Sequence, residues 1–103
     1  MAEYRLTPKA RDGFRDILEY VEERFGLRVA QKVLSRLEEA FERLASNPGI
    51  GHHREEITRD GSVLFWAVPP SLIAYRALPG EVEVLFVERG ERDWKELLHE
   101  QLG

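Results

Sequence analysis

The chain contains no cysteine, a single methionine and no long apolar run. Without cysteine it can form neither a disulfide scaffold nor a thiolate metal site, and it has no thiol nucleophile. No apolar stretch approaches the ~20 residues that cross a membrane, and the first residues are polar, unlike the core of a signal peptide. We therefore expect a cytoplasmic protein that does not associate with a membrane.

An excess of positive charge is also missing. The chain has 15 Lys or Arg against 19 Asp or Glu, which gives a net charge of -4. Residues 1–48 hold nine of each sign, whereas residues 49–103 hold six basic and ten acidic side chains. Proteins that hold nucleic acid through phosphates need a basic footprint. We therefore expect no direct sequence-specific nucleic-acid binding.

The length of 103 residues fits one domain, residues 1–103, with no linker and no internal repeat. A strand is predicted at Tyr4–Leu6, and Thr7 followed by Pro8 is typical of a helix start. Apolar residues at spacings of three and four then predict one helix to Gly26 and a second to Asn47. Because the break between them is so short, the two helices should form an antiparallel hairpin.

The second half of the chain predicts strands. The segments rich in β-branched and aromatic residues are Val63–Val68, Leu72–Leu78 and Val82–Glu88. The short links between them, Pro69-Pro70-Ser71 and Pro79-Gly80, favour an antiparallel meander. A short helix containing Trp94 should close the structure. The predicted fold class is α+β: a strand, a two-helix hairpin, a β-meander and a short C-terminal helix.

Charged side chains crowd the end of the last strand, where burial alone does not explain them. Arg89 and Arg92 either bind something or brace the final helix, and Asp93 favours a helix cap. Arg76 lies in an otherwise apolar strand, so its charge must be paired or lie at an opening. Either it forms an ion pair, with Glu83 or Glu88 as candidate partners, or it contacts a target.

The loop after the helices contains His52, His53 and Arg54. Histidine suits proton transfer near neutral pH, so a general base or a phosphate contact is one interpretation, and a solvated loop is the other. Adjacent histidines cannot usually aim at one metal, and no carboxylate accompanies them at a ligand spacing. We predict no metal and no cofactor.

The apolar stripes of the two helices are wide, with Tyr20, Val29 and Ala40 beside the main series. One sheet does not cover all of that surface. Since exposed apolar surface on a small monomer marks a partner site, a groove for another protein's helix is a reasonable hypothesis.

Several segments, in this order, resemble the ParE/RelE superfamily of toxins from toxin-antitoxin systems. They are Leu6-Thr7-Pro8-Lys9-Ala10, Ile17 with Tyr20, Leu44 through Pro48, Gly51 to Arg54, Leu72-Ile73-Ala74-Tyr75-Arg76 and Gly90-Glu91-Arg92-Asp93-Trp94. The resemblance covers nearly the whole chain, and the family fold agrees with the elements predicted above.

The resemblance implies a small toxin neutralised by a ParD-like antitoxin. ParE-like members poison DNA gyrase, whereas RelE-like members cut messenger RNA in the ribosome. The acidic second half and the absence of lysine from the predicted sheet favour the ParE branch. The alternatives are a RelE-like endoribonuclease and a non-toxic relative that keeps only the partner site.

On this basis the expected target contacts are Arg54, Arg76, Arg89 and Arg92, and the expected antitoxin contacts are Tyr20, Val29, Val33, Leu37 and Ala40. An RNase would instead use His52, His53, Arg54, Arg76 and Arg89.

Three positions depart from the family pattern. Gly13 stands where the first helix of relatives often has an acidic residue, and Arg89 replaces a frequent histidine. Val63 and Leu64 lack the arginine that often opens the second strand.

Overall fold

A computed structural model describes residues 3–102 of the chain. Its elements are β1 (Glu3–Leu6), α1 (Pro8–Phe25), α2 (Leu27–Ser46), a 3-10 turn (Pro48–Ile50), β2 (Leu64–Val68), β3 (Ser71–Leu78), β4 (Glu81–Arg89) and α3 (Trp94–Leu102). The predicted α+β architecture is confirmed. The strands differ from their predicted bounds by one residue, at one end in β1, β2 and β3 and at both ends in β4. Strand β1 begins at Glu3, β2 begins after Val63, which is nevertheless buried, β3 begins at Ser71, and β4 extends from Glu81 to Arg89.

The start of α1 is fixed by a cap that also joins the helix to the sheet. The Thr7 Oγ1 accepts a hydrogen bond from the Ala10 backbone N–H at 3.1 Å. The same hydroxyl donates to the Leu85 carbonyl at 2.9 Å. Pro8 occupies the first turn, where a missing N–H costs nothing. One side chain therefore sets both the helix start and its docking on β4.

Gly26 separates the two helices. Its φ of 94° lies in the region that side-chain-bearing residues rarely adopt, so glycine is the residue suited to this turn. Its N–H bonds the Glu22 carbonyl while its own carbonyl accepts from Ala30, so it ends α1 and begins α2. The predicted hairpin therefore needs no further connecting residue.

The four strands have the order β1-β4-β3-β2. The meander β2-β3-β4 is antiparallel, as predicted, whereas β1 lies parallel to β4 on its other side. A bulge interrupts the β3–β4 register: Ala74 pairs with Phe86 but Tyr75 pairs with Val84, so Leu85 is the extra residue. The bulge breaks the simple alternation of faces in β4.

The sheet separates two apolar cores. The helix-side core contains Ala10, Ile17, Leu37, Ala40, Phe41, Leu44, Ile73, Tyr75, Val82, Val84 and Val87. The α3-side core contains Val63, Phe65, Leu72, Ala74, Leu85, Phe86, Trp94 and Leu98. Because of the bulge, Leu85 and Phe86 both serve the α3-side core. Burying both faces explains the nearly continuous apolar sequence of β4. No helix in the described part of the chain is long and apolar enough to span a bilayer.

Candidate functional site

The exit of β4 brings together residues that the sequence assigned to two different partners. Arg89, a predicted target contact, places its guanidinium carbon 4.5 Å from the ring centroid of Tyr20, a predicted antitoxin contact on α1. Arg24, one helical turn after Tyr20, lies 4.8 Å from the same centroid. Both distances are in the cation-π range. We call Tyr20, Arg24 and Arg89 the arginine-tyrosine cluster.

The neighbouring Glu88 joins the end of β4 to α1 and to the turn before α3. Its carboxylate accepts a hydrogen bond from Arg92 at 2.9 Å and lies against Gly13. Burial raises the pKa of Glu88, and the nearby Asp16 carboxylate raises it further, whereas Arg92 opposes the shift. Arg92 is thus a bracing residue as well as a predicted target contact.

Two contacts anchor the start of α3. The Trp94 indole N–H donates to the Arg89 carbonyl at 3.1 Å, and its ring packs edge-to-face on Phe65 and Phe86. The Asp93 carboxylate accepts from the Glu96 backbone N–H at 3.2 Å, which confirms the predicted capping role. Both residues of the Asp93-Trp94 pair are therefore structural.

Arg76 is paired, but neither with Glu83 nor with Glu88, the two partners proposed from sequence. It donates to the Asp60 carboxylate and to the Ser62 hydroxyl, each at 3.0 Å. Hydrogen bonds from Ser62 lower the pKa of Asp60, and Arg76 adds to this. Glu83 faces Arg76 across the strands but is bound by Arg5 on β1 at 2.8 Å. The alternation of side chains along β3 indicates only neighbours in adjacent strands, so it could not predict that Asp60, in the loop before β2, is the partner of Arg76.

The histidine segment lies along the edge of β2. His52 exchanges backbone hydrogen bonds with Phe65, at 2.9 Å and 2.8 Å, and its ring stacks on Trp66 with centroids 6.4 Å apart. His53 is exposed and Arg54 is half-buried. Among the described residues no group of three metal-ligating side chains lies together. His52 therefore has a structural place beside the sheet, whatever else it contacts.

The residues named for a ribonuclease do not converge. In the register of β3 and β4, Ser71 lies opposite Arg89. Arg76 lies opposite Glu83, five positions further along β3. At 3.2–3.4 Å per residue these positions are ~16 Å apart along the strand. Arg89 and Arg76 thus lie towards opposite ends of the sheet, and the outer edge of β2, which His52 borders, is separated from β4 by β2 and β3. The backbone positions of the two arginines are therefore not clustered around one point of the sheet.

The predicted antitoxin contacts on the helices differ in exposure. Leu37 and Ala40 lie in the helix-side core, with 1% and 7% of their surface exposed. They therefore pack α2 against the core and are not exposed to a partner. Tyr20 and Val33 are half-buried, and Val29 is 40% exposed.

Two apolar residues of the hairpin tip were missed by sequence reasoning. Phe25 and Leu27 are 64% and 58% exposed, more than Val29 beside them. Phe25 continues the three-and-four spacing of apolar residues in α1, and this spacing alone predicts a place on the buried face. The signal that could have indicated its exposure is its position next to Gly26, where α1 ends and the chain turns into α2.

A groove of about 620 Å³ lies between the loop that holds Asp60 and α3. Its lining residues are Ile57, Thr58, Arg59, Asp60, Asp93, Lys95, Glu96, Leu98 and His99. Charges of both signs alternate around it, which gives no clear preference for one class of ligand.

The fold and these surfaces define a class: a small α+β domain with a helical hairpin on one face of its sheet and a charged strand exit, as in toxins of toxin-antitoxin systems. A family model described as "ParE toxin of type II toxin-antitoxin system, parDE" matches residues 4–94. The chain therefore belongs to the ParE toxin family.

The comparison of structures agrees with this assignment. A chain described as the chromosomal ParDE TA system from P. aeruginosa superposes with a TM-score of 0.73, covering 88% of this chain and 98% of that chain. The sequence identity is 20%, so the likeness concerns the fold. A search of curated proteins finds no match.

Proposed function

We propose that this protein is a toxin that binds DNA gyrase in the cytoplasm and is neutralised by a ParD-like antitoxin. The observation that carries the proposal is the ParE family match along residues 4–94. In this proposal the toxin acts by binding and performs no chemistry of its own. The separation of Arg76 from Arg89 along the strands supports binding over RNA cleavage, because arginines that together stabilise one reacting phosphate are expected to lie close to one another.

The proposed gyrase contact is centred on Arg89 and Arg92. Both follow the end of β4, and neither is fully enclosed by its ion pair, since their side chains are 36% and 47% exposed. Arginine forms directed hydrogen bonds with carboxylates and phosphates, which a protein-DNA target offers. Arg76, paired with Asp60, belongs to a second, more distant contact region, and Arg54 is the further target contact proposed in the loop before it.

The proposed antitoxin surface follows the helical hairpin. Its exposed apolar part consists of Phe25, Leu27 and Val29, continued by the half-buried Val33 and Tyr20. An amphipathic helix of the antitoxin would remove this apolar surface from water, which is a usual source of affinity in such complexes. Leu37 and Ala40 contribute by holding α2 on the sheet.

Co-expression tests whether an antitoxin binds and neutralises the protein. The protein is expressed alone and together with the product of the adjacent reading frame, and growth and co-purification are measured. We expect growth arrest only without the partner, and a stable complex with it. The double variant Phe25→Ser/Leu27→Ser should weaken the complex by about tenfold or more because it removes exposed apolar contacts. Arg15→Gln, an exposed change on α1, is the matched control.

Unimpeded growth when the protein is expressed alone would instead identify a non-toxic relative that keeps the partner site. Gyrase supercoiling and the mapping of cut messages in a translating extract separate the two possible targets. Cut messages with normal supercoiling would replace the proposal by a RelE-like activity.

A further inference from the structure

The arginine-tyrosine cluster lies where the hairpin meets the end of the sheet. Tyr20 belongs to α1 and Arg89 closes β4, so the cluster borders both the proposed antitoxin surface and the proposed gyrase contact. The guanidinium carbons of Arg89 and Arg24 are 4.5 Å and 4.8 Å from the one aromatic ring. The ring face attracts both cations, whereas the two cations repel each other.

The positive charge of this cluster is only partly neutralised. Arg89 has one ion pair within the described residues, from its Nε to Glu91 at 3.3 Å, and the Glu91 side chain is 64% exposed. Arg24 is exposed and makes no ion pair with a described side chain. The outer nitrogens of both guanidinium groups therefore keep donors for an incoming anion.

The surroundings favour a single carboxylate over a nucleic-acid backbone. Glu88, Glu91 and Asp93 lie within four residues of Arg89, and such acidic neighbours repel a run of phosphates. One carboxylate can approach a guanidinium from its open side and accept two hydrogen bonds. The Tyr20 ring holds Arg89 in place beforehand, which reduces the entropy lost on binding.

We infer that Tyr20, whose ring also contacts Arg24, positions Arg89 as an anchor for an acidic side chain of the antitoxin, so that the antitoxin covers the arginine assigned to gyrase. The inference rests on the proposed function, since it requires both partners. It makes neutralisation a direct competition for one side chain. The hairpin tip would bind the antitoxin helix. At the arginine-tyrosine cluster, the bound antitoxin would prevent Arg89 from contacting gyrase.

Paired variants at Tyr20 test the positioning role. Tyr20→Phe keeps the ring, whereas Tyr20→Leu keeps apolar volume but removes the π face. We expect Tyr20→Phe to bind the antitoxin within about threefold of the wild type, and Tyr20→Leu to bind about tenfold more weakly. Because the lost contact is electrostatic, that difference should shrink at high ionic strength. Equal affinities for the two variants would overturn the positioning role.

Variants of the arginines test the shared surface. Arg89→Gln should lose about tenfold in antitoxin affinity and also lose gyrase inhibition. Arg24→Gln should weaken antitoxin binding alone, and Arg15→Gln removes the same charge elsewhere on α1 as the control. Adding Tyr20→Leu to Arg89→Gln should cause little further loss, because both changes break one contact. Thermal unfolding of each variant verifies that it is folded, and Arg24→Gln, an exposed change, keeps the test open if Tyr20→Leu unfolds.

The outcomes separate the inference from the proposed function. If the wild type neither binds the antitoxin nor inhibits gyrase, the proposed function fails. If the wild type does both but Arg89→Gln keeps its antitoxin affinity, only the inference fails. If Arg89→Gln loses antitoxin affinity but inhibits gyrase normally, the competition for Arg89 is overturned.

Discussion

The backbone of Gly13 in α1 packs directly on the carbonyl oxygen of Val87 in β4. A Cβ added at Gly13 would overlap that oxygen and the Glu88 carboxylate. The departure of Gly13 from the family pattern thus has a physical explanation: at this point the helix approaches the sheet too closely for any side chain. The close approach also brings α1 near the charged exit of β4.

Gly13→Ala should therefore destabilise the protein. Helix propensity alone predicts the opposite, since alanine is favoured over glycine in a helix interior by ~1 kcal/mol. The overlap with Val87 should outweigh this and lower the free energy of unfolding by about 1–3 kcal/mol, measured by urea denaturation. Gly61→Ala, where the added methyl meets nothing within 4 Å, is the control. Stabilisation by Gly13→Ala would contradict the packing.

Tyr75→Phe should cost about 1–3 kcal/mol of unfolding free energy. The Tyr75 hydroxyl donates to the Pro48 carbonyl at 2.7 Å and accepts from the Gly51 N–H at 2.9 Å. Removing it leaves two backbone groups without their partner at a partly buried site. Tyr4→Phe removes a hydroxyl that makes no hydrogen bond with the described residues, so its unfolding curve should stay close to that of the wild type.

Thr7→Val keeps the shape of the side chain but removes its hydroxyl. It should lower the unfolding free energy by about 1–2 kcal/mol, because the cap of α1 and the bond to the Leu85 carbonyl are lost together. Calorimetric melting measures the change, with the exposed Ser35→Ala of α2 as the comparison. A melting temperature equal to that of the Ser35→Ala variant would show that the cap does not hold the helix on the sheet.

The raised pKa of Glu88 predicts how the stability of the folded protein depends on pH. Burial and Asp16 raise this pKa above 4.5, and Arg92, Arg89 and Lys9 only partly oppose them. The folded state therefore binds the proton more tightly than the unfolded state. The resulting stability is fully present below the unfolded pKa and is lost as the pH rises through the folded pKa.

Glu88→Gln, which is neutral at every pH, should consequently be more stable than the wild type at neutral pH. This advantage should vanish below about pH 4, where the wild-type carboxyl is protonated in both states. Urea unfolding across this range measures the difference between the two proteins. Glu19→Gln removes an exposed charge from α1 and is the control. An advantage of Glu88→Gln that persisted in acid would contradict the predicted linkage.

The sequence predicted the elements well because their signals are local. Thr7 with Pro8, the apolar spacing of the helices and the short link Pro79-Gly80 each act within a few residues. The bulge at Leu85 was not predicted, since an apolar run carries no alternation to interrupt. The parallel pairing of β1 with β4 was not predicted either, because it joins two segments that are far apart in the sequence.

The sites were predicted less well because they depend on contacts between distant segments. The sequence identified Tyr20 and Arg89 but assigned them to separate partners, and only the docking of α1 on β4 brings them together. The partner of Arg76 came from a loop whose course no pattern indicates. Helical spacing also gave the apolar residues of α2 without showing that Leu37 and Ala40 face inward.

The most direct test of the central claim is DNA supercoiling by purified gyrase in the presence of the protein freed of its antitoxin. We predict inhibition with accumulation of cleaved DNA, reversal on adding the antitoxin, and a marked loss of potency in Arg89→Gln. A translating extract treated with the same preparation should keep its messages intact. Normal supercoiling together with cut messages in that extract would contradict the account.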